Sequence, residues 1–84
     1  MSSKRISGVL FVVHPADHGP PHVHSFIADG EVILDLTSDG GVMIADRPDA
    51  VRRANRSDVR KVVRIASLNV DDLRALWEMM HGEE

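Results

Sequence analysis

The chain has no cysteine. That absence excludes disulfide staples, thiolate zinc sites and a cysteine nucleophile, and it leaves imidazole and carboxylate as the strong metal ligands. Long apolar runs are also missing: nothing in the sequence approaches the roughly 20 residues that a bilayer-spanning helix needs. The opening MSSKRISGVLFVVHPAD has too short an apolar stretch for a secretory signal and no small-residue cleavage site. A cytoplasmic location with no membrane partner is therefore the expectation. Internal repeats and low-complexity tracts are absent as well, so the 84 residues are expected to form one domain, 1–84. A domain of that length buries only about 60–65% of its unfolded surface, which leaves a small core.

Charge, in contrast, is plentiful and unevenly placed. The net value is −3. Between Arg47 and Arg64 the chain carries Arg47, Arg52, Arg53, Arg56, Arg60, Lys61 and Arg64 against only Asp49 and Asp58, and the tail from Asp71 to Glu84 is acidic. A basic stretch in an acidic chain fits a phosphate-bearing or acidic partner, with Arg52, Arg53 and Arg56 as candidate binding residues. A solvated helix face is the simpler reading, because basic side chains sit on helix surfaces by default.

The pattern of apolar residues predicts an α+β fold, an antiparallel β-meander of three or four strands followed by two C-terminal helices packed on one face. The run ISGVLFVV (6–13) reads as one strand stopped by His14-Pro15, because proline removes a ladder donor and holds the preceding residue extended. HVHSFIA (22–28) and EVILDLT (31–37) flank Asp29-Gly30, a strong hairpin signal. Asp39-Gly40 then precedes GVMIA (41–45). Residues 47–56, with Pro48 and few apolar side chains, read as an irregular connection. Beyond them the period becomes helical, with Val59, Val62, Val63 and Ala66 on one stripe behind a Ser57 cap, and Leu73, Leu76, Trp77 and Met80 on another behind Asn69. Trp77, Met79 and Met80 are expected in the core or at its rim, and His81 as a residue suited to a helix C-terminus.

Four of the five histidines fall within HPADHGPPHVH, residues 14–24. A two-residue loop at Asp29-Gly30 would pair His24 with Asp35 and His22 with Thr37. Alternation would then put Val23, Ile27, Val32, Leu34 and Leu36 on the helix side, and His22, His24 and Asp35 together on the other. Residues i and i+2 of a strand lie roughly 6.6 Å apart, close enough for two imidazoles to meet on one ion. Pro20 and Pro21 make the approach to His22 stiff and extended, which reduces the entropy lost when the histidines are held. A third ligand from Asp17, His18 or His14 would complete the three-residue set of a catalytic-type zinc centre. The same loop also fits a solvated turn in which the histidines bind nothing.

The stretch DHGPPHVHS resembles a family of small bacterial proteins of unknown function whose signature is Asp-His-x-Pro-Pro-His-x-His. Asp17, His18, Pro20, Pro21, His22 and His24 match it, and LNVDDLRALW resembles the family's last helix at Leu73 and Trp77. Val23 stands where the family usually has an aromatic residue, Ser25 where it usually has an apolar one, and the stretch 46–56 is longer than usual. The resemblance implies a first strand, a β-hairpin and a C-terminal helix pair. It also implies a small protein partner encoded nearby, in an arrangement like toxin–antitoxin gene pairs, and it assigns no catalytic residue.

Two readings follow. In the first the chain is a binding module that takes zinc or another divalent metal on His22 and His24, with His18 or Asp17 as a further ligand and Asp35 orienting an imidazole. In the second it is a metal-independent ribonuclease whose His22 and His24 serve as general base and acid, with Asp35 raising the basicity of His24 and the arginines holding phosphate charge. RNA and a second copy of the chain join the nearby protein as candidate partners.

Overall fold

Ser7 and Gly8 both adopt positive φ, 51° and 85°, so the apolar run that reads as one strand turns back on itself. The result is a hairpin of β1 (Ser2–Ile6) and β2 (Val9–Val13), with Ile6 opposite Val9. Two successive left-handed residues are what a tight two-residue hairpin requires, because their twist matches that of the strands. The expected meander thus gains a strand at its start. The computed structural model describes residues 1–81.

β3 (His22–Ile27), β4 (Gly30–Leu36) and β5 (Val42–Ile44) follow, and the antiparallel order is β1-β2-β3-β4-β5. A sixth, two-residue strand, β6 (Val51–Arg52), pairs with the first half of β4 while β5 pairs with its second half. This corrects the expectation of a wholly irregular connection over 47–56. Ile33 explains the arrangement: its N–H donates to the Ala50 carbonyl and its carbonyl accepts from the Ala45 N–H. Ala45 and Ala50 also pack on its buried side chain. β5 and β6 are two pieces of one sheet edge with the turn 46–49 looped out between them.

The β3–β4 turn also differs from expectation. Ile27 faces Gly30, so Ala28 and Asp29 form the loop, with Ala28 at φ 50°. His22 lies opposite Asp35 and His24 opposite Ile33, a slip of two residues from the expected His24–Asp35 pair. Because facing alternates with period two, a slip of two leaves every side chain on its expected side. Gly30 serves close approach here: a Cβ at this position would collide with the Arg53 backbone carbonyl.

Two helices close the chain. The first, α1 (Arg56–Leu68), begins at an Asn55 cap rather than at Ser57, with Asn55 Oδ1 accepting from the Asp58 N–H at 2.8 Å and the Asp58 carboxylate accepting from the Asn55 N–H. Such a cap contributes about 1 kcal/mol. Asn69 lies at the helix boundary as expected, but its side chain donates back to the Ile65 carbonyl and closes α1. The second helix, α2 (Val70–His81), starts immediately after it.

The core lies between the sheet and these helices. Val9, Phe11 and Val13 join Val23, Ile27, Val32, Leu34 and Leu36, and against them pack Val62, Ile65, Ala66, Leu73 and Leu76. Every residue expected on the helix side of the β3–β4 hairpin is there. Val59 and Val63 are only half-buried, and Met79 is exposed rather than in the core or at its rim. Ser25 is fully buried on this apolar side, and among the described residues its hydroxyl has no hydrogen-bond partner. No helix of the described residues is long and apolar enough to cross a membrane.

Candidate metal centre

The loop between β2 and β3 folds Asp17 back over the start of β3. Its carboxylate Oδ2 accepts the His14 N–H at 2.9 Å, and the Asp17 N–H donates to the His14 carbonyl at 3.1 Å. The other carboxylate oxygen, Oδ1, lies 3.6 Å from His22 Nε2 and 3.5 Å from His24 Nε2. One donor atom from each of Asp17, His22 and His24 falls within 4.8 Å of the other two. The three side chains are largely shielded, with relative exposures of 15%, 9% and 14%.

The tautomers follow from the acceptors behind the rings. His22 Nδ1 lies 3.0 Å from the Pro20 carbonyl and His24 Nδ1 lies 2.8 Å from Glu31 Oε2. Carbonyl and carboxylate oxygens only accept here, so each Nδ1 carries a hydrogen and each Nε2 is the ring atom turned towards Asp17; in the deprotonated imidazole that metal binding requires, that Nε2 is the donor. In that form three acceptor atoms converge with no hydrogen between them, and among the described residues His24 Nε2 is buried without a hydrogen-bond partner. A buried group of this kind is costly unless a cation satisfies it.

The two separations from Asp17 Oδ1 fit a shared metal ion better than hydrogen bonds. Contacts of 3.5 and 3.6 Å are too long for N–H···O bonds. Two donors each about 2.05 Å from a tetrahedral zinc are about 3.3 Å apart. All three donor residues also have the outer-shell support typical of metal ligands: a backbone N–H on Asp17, a backbone carbonyl on His22, and a carboxylate on His24.

Burial by itself would raise the Asp17 carboxyl pKa, but the His14 N–H and the positive charges that His24 and His22 carry when protonated together hold it below its ordinary 3.8.

Of the candidate ligands, the fold brings together Asp17, His22 and His24. His18 is exposed and lines a neighbouring cavity of ≈ 220 Å³ with His22, Asp35 and Arg47. His14 contributes its backbone, and its ring packs edge-on to His24 with centroids 4.9 Å apart. Asp35 shares the expected face but stands across from His22, and the carboxylate that orients His24 is Glu31. Arg52 and Arg53 line a small cavity at the turn end of the β3–β4 hairpin, and Arg56 opens α1. None of these arginines forms a hydrogen bond or ion pair with the three ligands among the described residues.

Glu31 was missed because the expected register put it beside Ala28. In the observed register it faces Phe26, diagonal to His24 on the same side of the sheet. Trp77 and His81 were also missed as neighbours of the site. The Trp77 ring lies 5.3 Å from that of His22 and stacks at 4.1 Å on His81, whose Nε2 is 3.2 Å from the His14 carbonyl. The end of α2 thereby braces the loop that carries Asp17.

No protein-family model, curated protein or solved structure matches the chain.

Proposed function

We propose that the protein is a divalent-metal-binding module whose centre is Asp17, His22 and His24. The observation that carries this reading is the pair of Nε2 atoms, aimed by the contacts of each Nδ1 with Pro20 and Glu31, that converge with one Asp17 oxygen. Two imidazoles and one carboxylate are the donors zinc uses in catalytic centres and iron(II) in facial triads, and both leave coordination positions open. When bound, such an ion acts as a Lewis acid towards an oxygen ligand. His22 and His24 supply the nitrogen donors, Asp17 supplies compensating negative charge, and Glu31 raises the donor strength of His24. In keeping with the family resemblance, we also propose that the module works with a small protein partner encoded nearby.

The ribonuclease reading is less well supported, because both Nε2 atoms are turned onto one shielded carboxylate rather than towards open solvent. Metal analysis of untagged protein and a thermal-shift titration test the proposal. Free zinc at 100 times its Kd should add about 2.7 kcal/mol, a rise of roughly 10–20 °C in Tm for a domain this size, at pH 7.5. The rise should shrink near pH 5, where protons compete for imidazole. No shift with zinc or iron(II) at pH 7.5 would remove the metal reading. RNA cleavage that survives chelator and is lost in His22→Ala or His24→Ala would replace it with the acid–base mechanism.

A further inference from the structure

On another part of the surface, β5 and α1 border a groove of ≈ 750 Å³ lined by Ile44, Val59 and Val63 together with Arg60, Lys61 and Arg64. Its lining is aliphatic and its rim cationic. Ile44 is 39% exposed, and Val59 and Val63 are half-buried, so apolar surface is open to solvent at a place where the chain also concentrates positive charge. The two carboxylates of this basic stretch are already engaged: Asp49 by Arg47, and Asp58 by the helix cap. Among the described residues, Arg60, Lys61 and Arg64 form no ion pair.

We propose that this groove is a docking site for an acidic, amphipathic segment of another protein, bound in extended form along β5. Charge complementarity selects an acidic occupant: among the described residues, three cations without an ion pair border the groove and no carboxylate lines it. The aliphatic floor selects protein over nucleic acid, since single-stranded RNA or DNA would require aromatic platforms for its bases and none lines the groove. The extended form follows from the topology. β5 is the terminal strand of the sheet order, and a terminal strand offers a row of unpaired N–H and C=O groups that an added strand can complete. Side chains of such a strand would alternate, the set on the α1 side meeting Ile44, Val63, Arg60 and Arg64 and the other set lying on the opposite face of the sheet.

Selection of short random peptides displayed on phage against the immobilised full chain tests the proposal. The enriched sequences should carry apolar residues and Asp or Glu together at every second position, the set that faces α1. A synthetic copy of one should bind about tenfold more weakly to Ile44→Glu and to the Arg60→Glu/Arg64→Glu double variant, and should lose affinity as salt rises. Its binding should also slow amide exchange over Val42–Ile44. All three altered residues are exposed, and the charge-reversal variant keeps the test decisive if Ile44→Glu fails to fold. Enrichment of non-acidic peptides, no enrichment, unchanged binding by the charge-reversal variant, or no exchange protection at β5 would each overturn the proposal. It would also fall if a poly(U) strand bound more tightly than the peptide and was indifferent to Ile44→Glu, or if the chain sedimented as a dimer that Ile44→Glu dissociates.

Discussion

Glu31 Oε2 lies 2.8 Å from His24 Nδ1, and this contact determines which ring nitrogen faces Asp17. Glu31 reaches His24 only because the β3–β4 register is the observed one, with Glu31 opposite Phe26 and His24 opposite Ile33. Replacing it should therefore affect metal affinity without removing a ligand. Glu31→Gln should weaken zinc binding about 10–100-fold with unchanged stoichiometry, while Asp35→Asn, across from His22, should bind zinc as the wild type does. Competition titration against a chromophoric chelator measures both. Equal affinities for wild type and Glu31→Gln would show that the carboxylate does not orient the ligand.

The Asp17 carboxyl gives a pH signature in the metal-free protein. Its folded pKa is lowered from 3.8, so the unfolded chain takes up its proton at higher pH than the folded one. The stability it contributes is present above the unfolded value and is lost as pH falls through the folded one. Asp17→Asn should thus be less stable than the wild type at pH 5–6, with the difference closing towards strongly acid pH. Urea melts across that range, with chelator present, would contradict this if the two curves stayed parallel throughout.

Ser25 offers a test of the core. Its hydroxyl is buried among apolar side chains without a partner, and an unsatisfied buried polar group costs about 1–3 kcal/mol. Ser25→Ala should raise stability by roughly 1 kcal/mol, seen as a higher denaturation midpoint with an unchanged slope. A lower midpoint would mean that the hydroxyl has a stabilising role.

Much of this protein is local and can be read in its sequence. Period-two alternation alone separates Val23, Ile27, Val32, Leu34 and Leu36 from His22, His24 and Asp35, and the change to helical periodicity near residue 57 predicts two helices over one face. The spacing His22-x-His24 places both imidazoles on one side of a strand, and Asp17 is among the third ligands that the loop makes available. These features depend on residue type and the geometry of one element, so the sequence by itself determines them.

Which partners those residues meet was decided by the tertiary structure. Alternation is insensitive to a slip of two, so it could assign the correct face and still pair His24 with Asp35. The actual register depends on Ala28 taking the left-handed conformation and on Gly30 fitting against the Arg53 carbonyl, a contact from more than twenty residues along the chain. The choice of Asp17 over His18 and His14 likewise rests on the His14 N–H that holds its carboxylate. Trp77 and His81 complete the surroundings of the site from the far end of the chain. The apolar and polar pattern of a short chain specifies which surfaces must be buried. Long-range backbone fits select among the arrangements that bury them, and the convergence of Asp17, His22 and His24 belongs to that selection.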